Sequence, residues 1–207
     1  MQLDHVLIAV PELEAAAREL EERHGLTSVE GGRHAGWGTA NRIVPLGDTY
    51  LELIAVVDEE EAAGSVFGGW IADGLRSGLG RPLGWVARTD RIDEVADRLG
   101  LTVSSGSRRA GDGRELQWRL AGAEQAAAEP CLPFFVEWGE GTPHPGRAPA
   151  VHPAGEVGLT GVRLSGDPER VERWLTAELP VVIVPGPPAV TAVVLEMGEG
   201  ELVLEGL

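Results

Sequence analysis

The sequence predicts an α+β protein built from repeated βαβββ modules, and three observations carry that expectation. Residues 3–57 read as a strand, a helix and three more strands. The same order restarts at Leu83, and in shorter form at Leu159. The closing strands YLELI, FFVEW and LVLEG each hold a carboxylate, Glu52, Glu137 and Glu205, in register. Superposing LDHVLIAV on PLGWVART and on LTGVRLSG sets Gly84 and Gly161 opposite His5.

The first module is the most legible. From Leu3 to Val10, Val6, Ile8 and Val10 form one apolar face, with His5, Leu7 and Ala9 on the other. Pro11 opens a helix whose Leu13, Ala16, Ala17 and Leu20 recur at helical spacing, and Gly25 closes it. GGRHAGWGTAN reads as an irregular strand or bend. Strands follow from Asn41 to Leu46 and from Thr49 to Val57 around Gly47-Asp48. One connecting helix is expected from Asp58 to Arg76, with Phe67, Trp70, Ile71 and Leu75 as its apolar stripe.

The second module offers a strand from Leu83 to Thr89, a helix from Arg91 to Leu99, and strands at 101–103, 115–120 and 132–138. The third has a strand to Ser165, a helix capped by Asp167-Pro168, and strands near 181–184, 190–197 and 201–204. The divisions are a first module over 1–57, a linker helix over 58–81, a second module over 82–140, a loop over 141–156 and a divergent third module over 157–207.

Composition narrows the function. With 33 acidic against 17 basic residues, the 207-residue chain carries a net charge of −16. That field repels phosphate backbones and anionic lipid, so neither nucleic acid nor a membrane surface is an expected partner. Every basic residue is arginine, which excludes lysine Schiff-base chemistry and the lysine-dependent phosphate loop. Cys131, the single cysteine, cannot form an internal disulfide and has no basic neighbour to activate it. MQLDHV lacks a signal-peptide pattern, and prolines cut the apolar stretch 181–194, so a cytoplasmic protein is expected.

LDHVLIAVPELEAA, GGRHAGWGTANRIVPLGDTYLELIA and PFFVEWGEGTPHPGR closely resemble the glyoxalase-like branch of the vicinal oxygen chelate superfamily. The resemblance covers about the first three quarters of the chain. It implies two modules paired around a cavity. The third module turns Val162, Leu164, Leu202 and Leu204 to its own helix, so it is expected to dock as a buttress, with any dimer secondary to the site. The resemblance also implies a divalent metal held by first- and last-strand residues. His5, Glu52 and Glu137 are the expected ligands, a set suited to zinc, manganese, nickel or iron(II). The sequence departs from the pattern at Gly84, where the second module would supply its own first-strand ligand.

Strand alternation places His5 and Glu52 on one face, and by the same rule Phe135 and Glu137. His34 is the best proton-transfer candidate. Arg33, Trp37, Asn41, Tyr50, Trp85 and Phe135 are the expected substrate contacts. His144 follows the Glu137 strand in TPHPGR and reads as a surface loop. Two functions stay open. One is a metal-dependent lyase, isomerase or dioxygenase acting on a small oxygen-bearing metabolite. The other is a metal-free small-molecule binder of the bleomycin-resistance type, as a monomer or homodimer.

Overall fold

Eight strands close into a barrel in the order β1-β4-β3-β2-β6-β7-β8-β5, and a separate four-stranded sheet packs on its outside. The computed structural model describes residues 1–77, 80–109, 113–175, 177–198 and 200–207. Residues 78 and 79 of the expected linker 58–81, and 176 and 199 of the expected third module, lie outside the described residues.

The first half of the barrel comprises β1 (Gln2–Ala9), β2 (Val29–His34), β3 (Thr39–Pro45) and β4 (Tyr50–Val56), with helix α1 (Leu13–His24) after β1. The second half repeats this with β5 (Pro82–Arg88), α4 (Ile92–Leu99), β6 (Val103–Arg109), β7 (Glu115–Ala121) and β8 (Phe134–Trp138). In each half the first strand runs parallel to the last. The halves meet at two seams. β1 pairs antiparallel with β5 along most of its length, whereas β2 meets β6, among the described residues, through one pair, His34 opposite Arg108.

A bulge in β1 shapes the barrel interior. Leu3 pairs with Ala87 and His5 with Val86, so Asp4 is an extra residue without a register partner. Leu3 and Val6 both join the outer core, and the two residues between them, Asp4 and His5, are both buried. Plain alternation puts Asp4 with Val6; the bulge frees it from that rule.

The connecting stretch forms two helices and not one. α2 (Glu59–Ala63) ends at Gly64, and α3 (Val66–Ser77) begins two residues later. Asp58 caps α2 by accepting from the Glu61 N–H. α3 sends Phe67, Trp70 and Ile71 into the barrel interior, where they pack with Leu7, Ile54, Val86 and Phe134. β6 begins at Val103 and runs to Arg109, later than expected, because its SSGSRR sequence has no apolar alternation to mark it. A short helix α5 (Ala123–Ala128), which no periodicity announces, precedes β8.

The outer sheet contains β9 (Val157–Gly166), β10 (Val181–Pro185), β11 (Ala189–Met197) and β12 (Gly200–Leu204), with α6 (Pro168–Trp174) after β9. The element order matches the other halves, but the pairing does not: here β9 is central, between β10 and β11. Leu159, Val162, Leu164, Val193 and Leu195 share one core with Val6, Ile8, Trp85 and Phe135 on the barrel's outer face. Burying such a face stabilises by roughly 25 cal/mol per Å².

Candidate functional site

Inside the barrel the first half supplies most of the polar groups, and the second half supplies the aromatic and aliphatic wall and one guanidinium. His5 from β1, His34 from β2, Asn41 from β3, and Tyr50 and Glu52 from β4 surround a cavity of about 40 Å³. Arg108 enters from β6, and Trp118, Phe134, Val136 and Trp138 close the opposite side. The space accommodates little more than a water-sized group or two.

Four side chains form a continuous buried relay. His5 Nδ1 lies 2.6 Å from Asp4 Oδ1, and His5 Nε2 lies 3.3 Å from Glu52 Oε2. Glu52 Oε1 accepts from Asn41 Nδ2 at 2.5 Å. Asp4 Oδ2 also accepts from the Trp138 indole N–H at 3.1 Å and contacts His144 Nε2 at 3.0 Å. Tyr50 stacks on His5 with ring centroids 4.3 Å apart and 15° between planes.

The environment sets the charges. Burial pushes the Asp4 carboxyl up, but the His144 and His5 hydrogen bonds outweigh it and hold Asp4 well below the usual carboxylate range. Burial likewise opposes ionisation of Glu52, yet His5, with help from His34 and Asn41, brings it down to about 2. For His5, burial favours the neutral ring, and the flanking Asp4 and Glu52 carboxylates reverse that, raising its pKa. His34 goes the other way: burial dominates, Glu52 opposes it only in part, and the pKa falls to about 4. The cavity therefore holds two imidazoles pushed in opposite directions, His5 toward its charged form and His34 toward its neutral one.

His34 Nδ1 contacts Thr39 Oγ1 at 2.9 Å, and Nε2 faces the Asn41 amide nitrogen at 3.4 Å. Donation from Asn41 needs the Nε2 lone pair, which leaves the proton on Nδ1 against Thr39. Arg108 donates to the Gly31 carbonyl. Burial lowers its pKa, opposed by Tyr50 and Glu52.

Of the expected site residues, His5, His34, Trp37, Asn41, Tyr50 and Glu52 come together at the cavity. Four others do not. Trp85 and Phe135 point outward into the core beneath the second sheet, where the Trp85 indole donates to the Cys131 carbonyl and Phe135 stacks on Trp174. Arg33 sits on the barrel exterior and pairs with Asp58 and Glu61. Glu137 also faces out. Its carboxylate accepts the Ile92 N–H at the start of α4 and pairs with Arg119 at 3.1 Å. Superposing the closing strands by their glutamates misphases β8 by one residue, and Phe134, Val136 and Trp138 are the inward set.

That correction bears on the expected metal. Glu137 is on the wrong face, His5 and Glu52 are joined to each other, and a guanidinium shares the cavity. Among the described residues no group of three His, Cys, Asp or Glu side chains could hold a metal ion. The donor set does not fit a divalent cation. Gly84 has a packing reason: a Cβ there would lie 2.5 Å from the Trp70 ring, so α3 fills the place of a second-half ligand.

Three contributors escape the sequence reading. Asp4 needs the bulge, Arg108 lies in a strand without apolar alternation, and His144 reaches back across 140 residues to Asp4. His144 is thus part of the relay and not a plain surface loop.

The family model for the glyoxalase-like domain matches residues 3–179. No curated protein matches the chain. Among solved structures, a hypothetical protein from Staphylococcus aureus superposes with a TM-score of 0.71 at 15% identity, over 96% of this chain and 92% of that one. Methylmalonyl-CoA epimerase from Mycobacterium tuberculosis gives 0.45 at 18% identity, over 66% of this chain and 86% of that one. A Streptomyces coelicolor methylmalonyl-CoA epimerase in complex with 2-nitronate-propionyl-CoA gives 0.47 at 18%, over 66% and 94%. The match over residues 3–179 makes the chain a member of the glyoxalase-like domain family.

Proposed function

We propose that the protein is a proton-transfer enzyme, an isomerase or lyase acting at the carbon next to a carbonyl group. The observation that carries this is the buried Asp4–His5–Glu52 relay. Three ionised groups removed from water cost several kcal/mol each before their mutual attraction is counted. Such clusters lining a cavity concentrate at sites of chemistry.

The roles derive from the charges. Glu52 takes a proton from the carbon while the His5 imidazolium gives its Nε2 proton to the carbonyl oxygen. The product is an enol, with one proton moved in each direction. Return of a proton to the opposite face, or to the neighbouring carbon, completes an isomerisation. His5 is also the main reason Glu52 is a weak base, with a pKa of about 2. As His5 gives up its proton that restraint disappears, so the base strengthens while the acid acts. Asp4 orients the His5 ring and holds it charged. Arg108 is placed to face an anionic oxygen, and His34, neutral above about pH 4 and held by Thr39, helps fix the Asn41 amide against Glu52 without adding charge. These steps use side chains alone.

Sequestration without chemistry is the second reading, favoured by the aromatic wall of Trp37, Phe67, Trp118, Phe134 and Trp138. Deuterium uptake separates the two. Small 2-oxo and 2-hydroxy compounds are incubated with protein in D₂O and followed by proton NMR. The enzyme reading expects exchange by the parent, slowed on the order of 10²-fold or more in Glu52→Gln. Equal exchange in both proteins, or binding with none, contradicts it.

A further inference from the structure

β6 fully buries a single side chain, and it is an arginine. Arg108 is 7% exposed, whereas Ser104, Ser105, Ser107 and Arg109 face solvent. It stands where the second seam of the barrel is thinnest, opposite His34 in the described pairing of β2 with β6. Gly32, with a φ of 142°, comes too near the Arg109 carbonyl to carry a side chain, so β6 can approach β2 there. The seam is thus shaped to carry a guanidinium to the cavity wall.

No carboxylate answers that charge directly. Arg108 donates from Nη1 to the Gly31 carbonyl, a neutral acceptor. The two carboxylates of the relay are taken up elsewhere, Asp4 by His5, Trp138 and His144, and Glu52 by His5 and Asn41. Among the described residues no acidic side chain stands at ion-pairing distance from Arg108. A buried charge left so is costly unless something pairs with it.

Tyr50 adds a second donor to the same wall. Its hydroxyl has no hydrogen-bond partner among the described residues, burial keeps it protonated, and it lies near enough to Arg108 to favour the guanidinium's charge. The charge balance also leaves room for an anion. With His5 in the form its surroundings favour, His5, Arg108 and Arg88 (3.9 Å from Asp4 Oδ2) outweigh Asp4 and Glu52 by a single positive charge.

We propose that Arg108 and Tyr50 receive a carboxylate, and that the substrate is therefore a small oxo acid. A planar carboxylate matches the guanidinium fork and is about the size of group that a cavity of about 40 Å³ takes, whereas a tetrahedral phosphate is larger. This deepens the proton-transfer reading and rests on it for the carbonyl group, while the carboxylate site is testable by itself.

The experiment titrates pyruvate and its neutral counterpart pyruvamide into the full chain at fixed ionic strength. Calorimetry and the emission of the cavity tryptophans are the readouts, with formate and inorganic phosphate as competitors. The expected result is saturable binding of pyruvate, at least about tenfold tighter than that of pyruvamide, competed by formate and not by phosphate. Arg108→Gln should erase the difference between the two compounds, and Arg108→Lys, which keeps the charge without the fork, should retain part of it. Equal affinities in the parent, no binding of pyruvate, tighter binding of phosphate, or a full difference surviving in a folded Arg108→Gln chain would overturn the inference. The comparison in the parent decides the matter even if Arg108→Gln does not fold. A preference for pyruvate without deuterium exchange leaves the carboxylate site standing and removes the chemistry; exchange without the preference does the reverse.

Discussion

Asp4 and His5 are neighbours on one strand, yet their side chains meet, with Oδ1 and Nδ1 2.6 Å apart. In regular β structure successive side chains point to opposite faces. The bulge between Leu3 and His5 cancels that alternation at one position and turns a buried aspartate onto the histidine beside it. The Asp4 carboxylate then sits against the His5 ring, the Trp138 indole and His144.

Asp4→Asn removes the charge that keeps His5 protonated while preserving most of the shape. Exchange activity should fall by at least tenfold, and the alkaline limb of its pH profile should move to lower pH as the His5 pKa drops. A uniform loss of activity with an unmoved profile would mean that Asp4 serves only the fold.

His34 gives the stability curve a sign that can be worked out. Its folded pKa, about 4, lies below the ordinary 6.5, so between those values the unfolded chain binds the extra proton. Stability should therefore fall as pH drops from 6.5 to 4, by about 3 kcal/mol from this group. His5, raised above 6.5, contributes stability that is present below 6.5 and lost as pH rises, so it cannot cause a loss on acidification. Glu52 acts below 4.5, where protonation toward its folded value of about 2 removes its contribution. His24 is also lowered and adds to the slope, so the comparison is of His34→Asn with the parent. Urea melts at pH 6.5 and 4.5 should show a shallower loss in His34→Asn; parallel losses would contradict the assignment.

Gly84→Ala should destabilise by about 1–3 kcal/mol, because the added methyl has no room beside the Trp70 ring. The effect is steric, so Trp70→Leu in the same chain should recover part of it in thermal melts. A Gly84→Ala chain as stable as the parent would show that α3 yields freely.

Glu137→Gln should cost roughly 1 kcal/mol in chemical denaturation through the weakened cap on α4 and the lost pairing with Arg119. No change in stability would mean that water satisfies the Ile92 N–H as well as the Glu137 carboxylate does, since Arg91 at the N-cap makes no side-chain bond to the helix.

Much of the architecture was legible because it rests on period and punctuation. Val6, Ile8 and Val10 against His5, Leu7 and Ala9 told which face of β1 turns inward, and Gly25 ends α1 in the left-handed conformation (φ 66°) that favours glycine. His5 and Glu52 could be paired for the same reason. The failures also have physical causes. Aligning FFVEW by its glutamate sacrificed the phase of β8, and with it Glu137 and Phe135. Trp85 faces the outer core because alternation from the inward Gly84 turns it that way. Asp4 depended on a bulge, and His144 and Arg108 on long-range packing that no local pattern encodes.

The proposed chemistry stands on one buried cavity that favours the charged form of His5 and the neutral form of His34. A nitrogen-15 NMR titration of the histidine rings tests this without a substrate. His5 should remain an imidazolium as pH rises through 6.5, while His34 stays a neutral ring, protonated on Nδ1, until pH approaches 4. A His5 that loses its proton below pH 6.5, or a His34 that titrates near 6.5, would contradict the relay and the chemistry built on it.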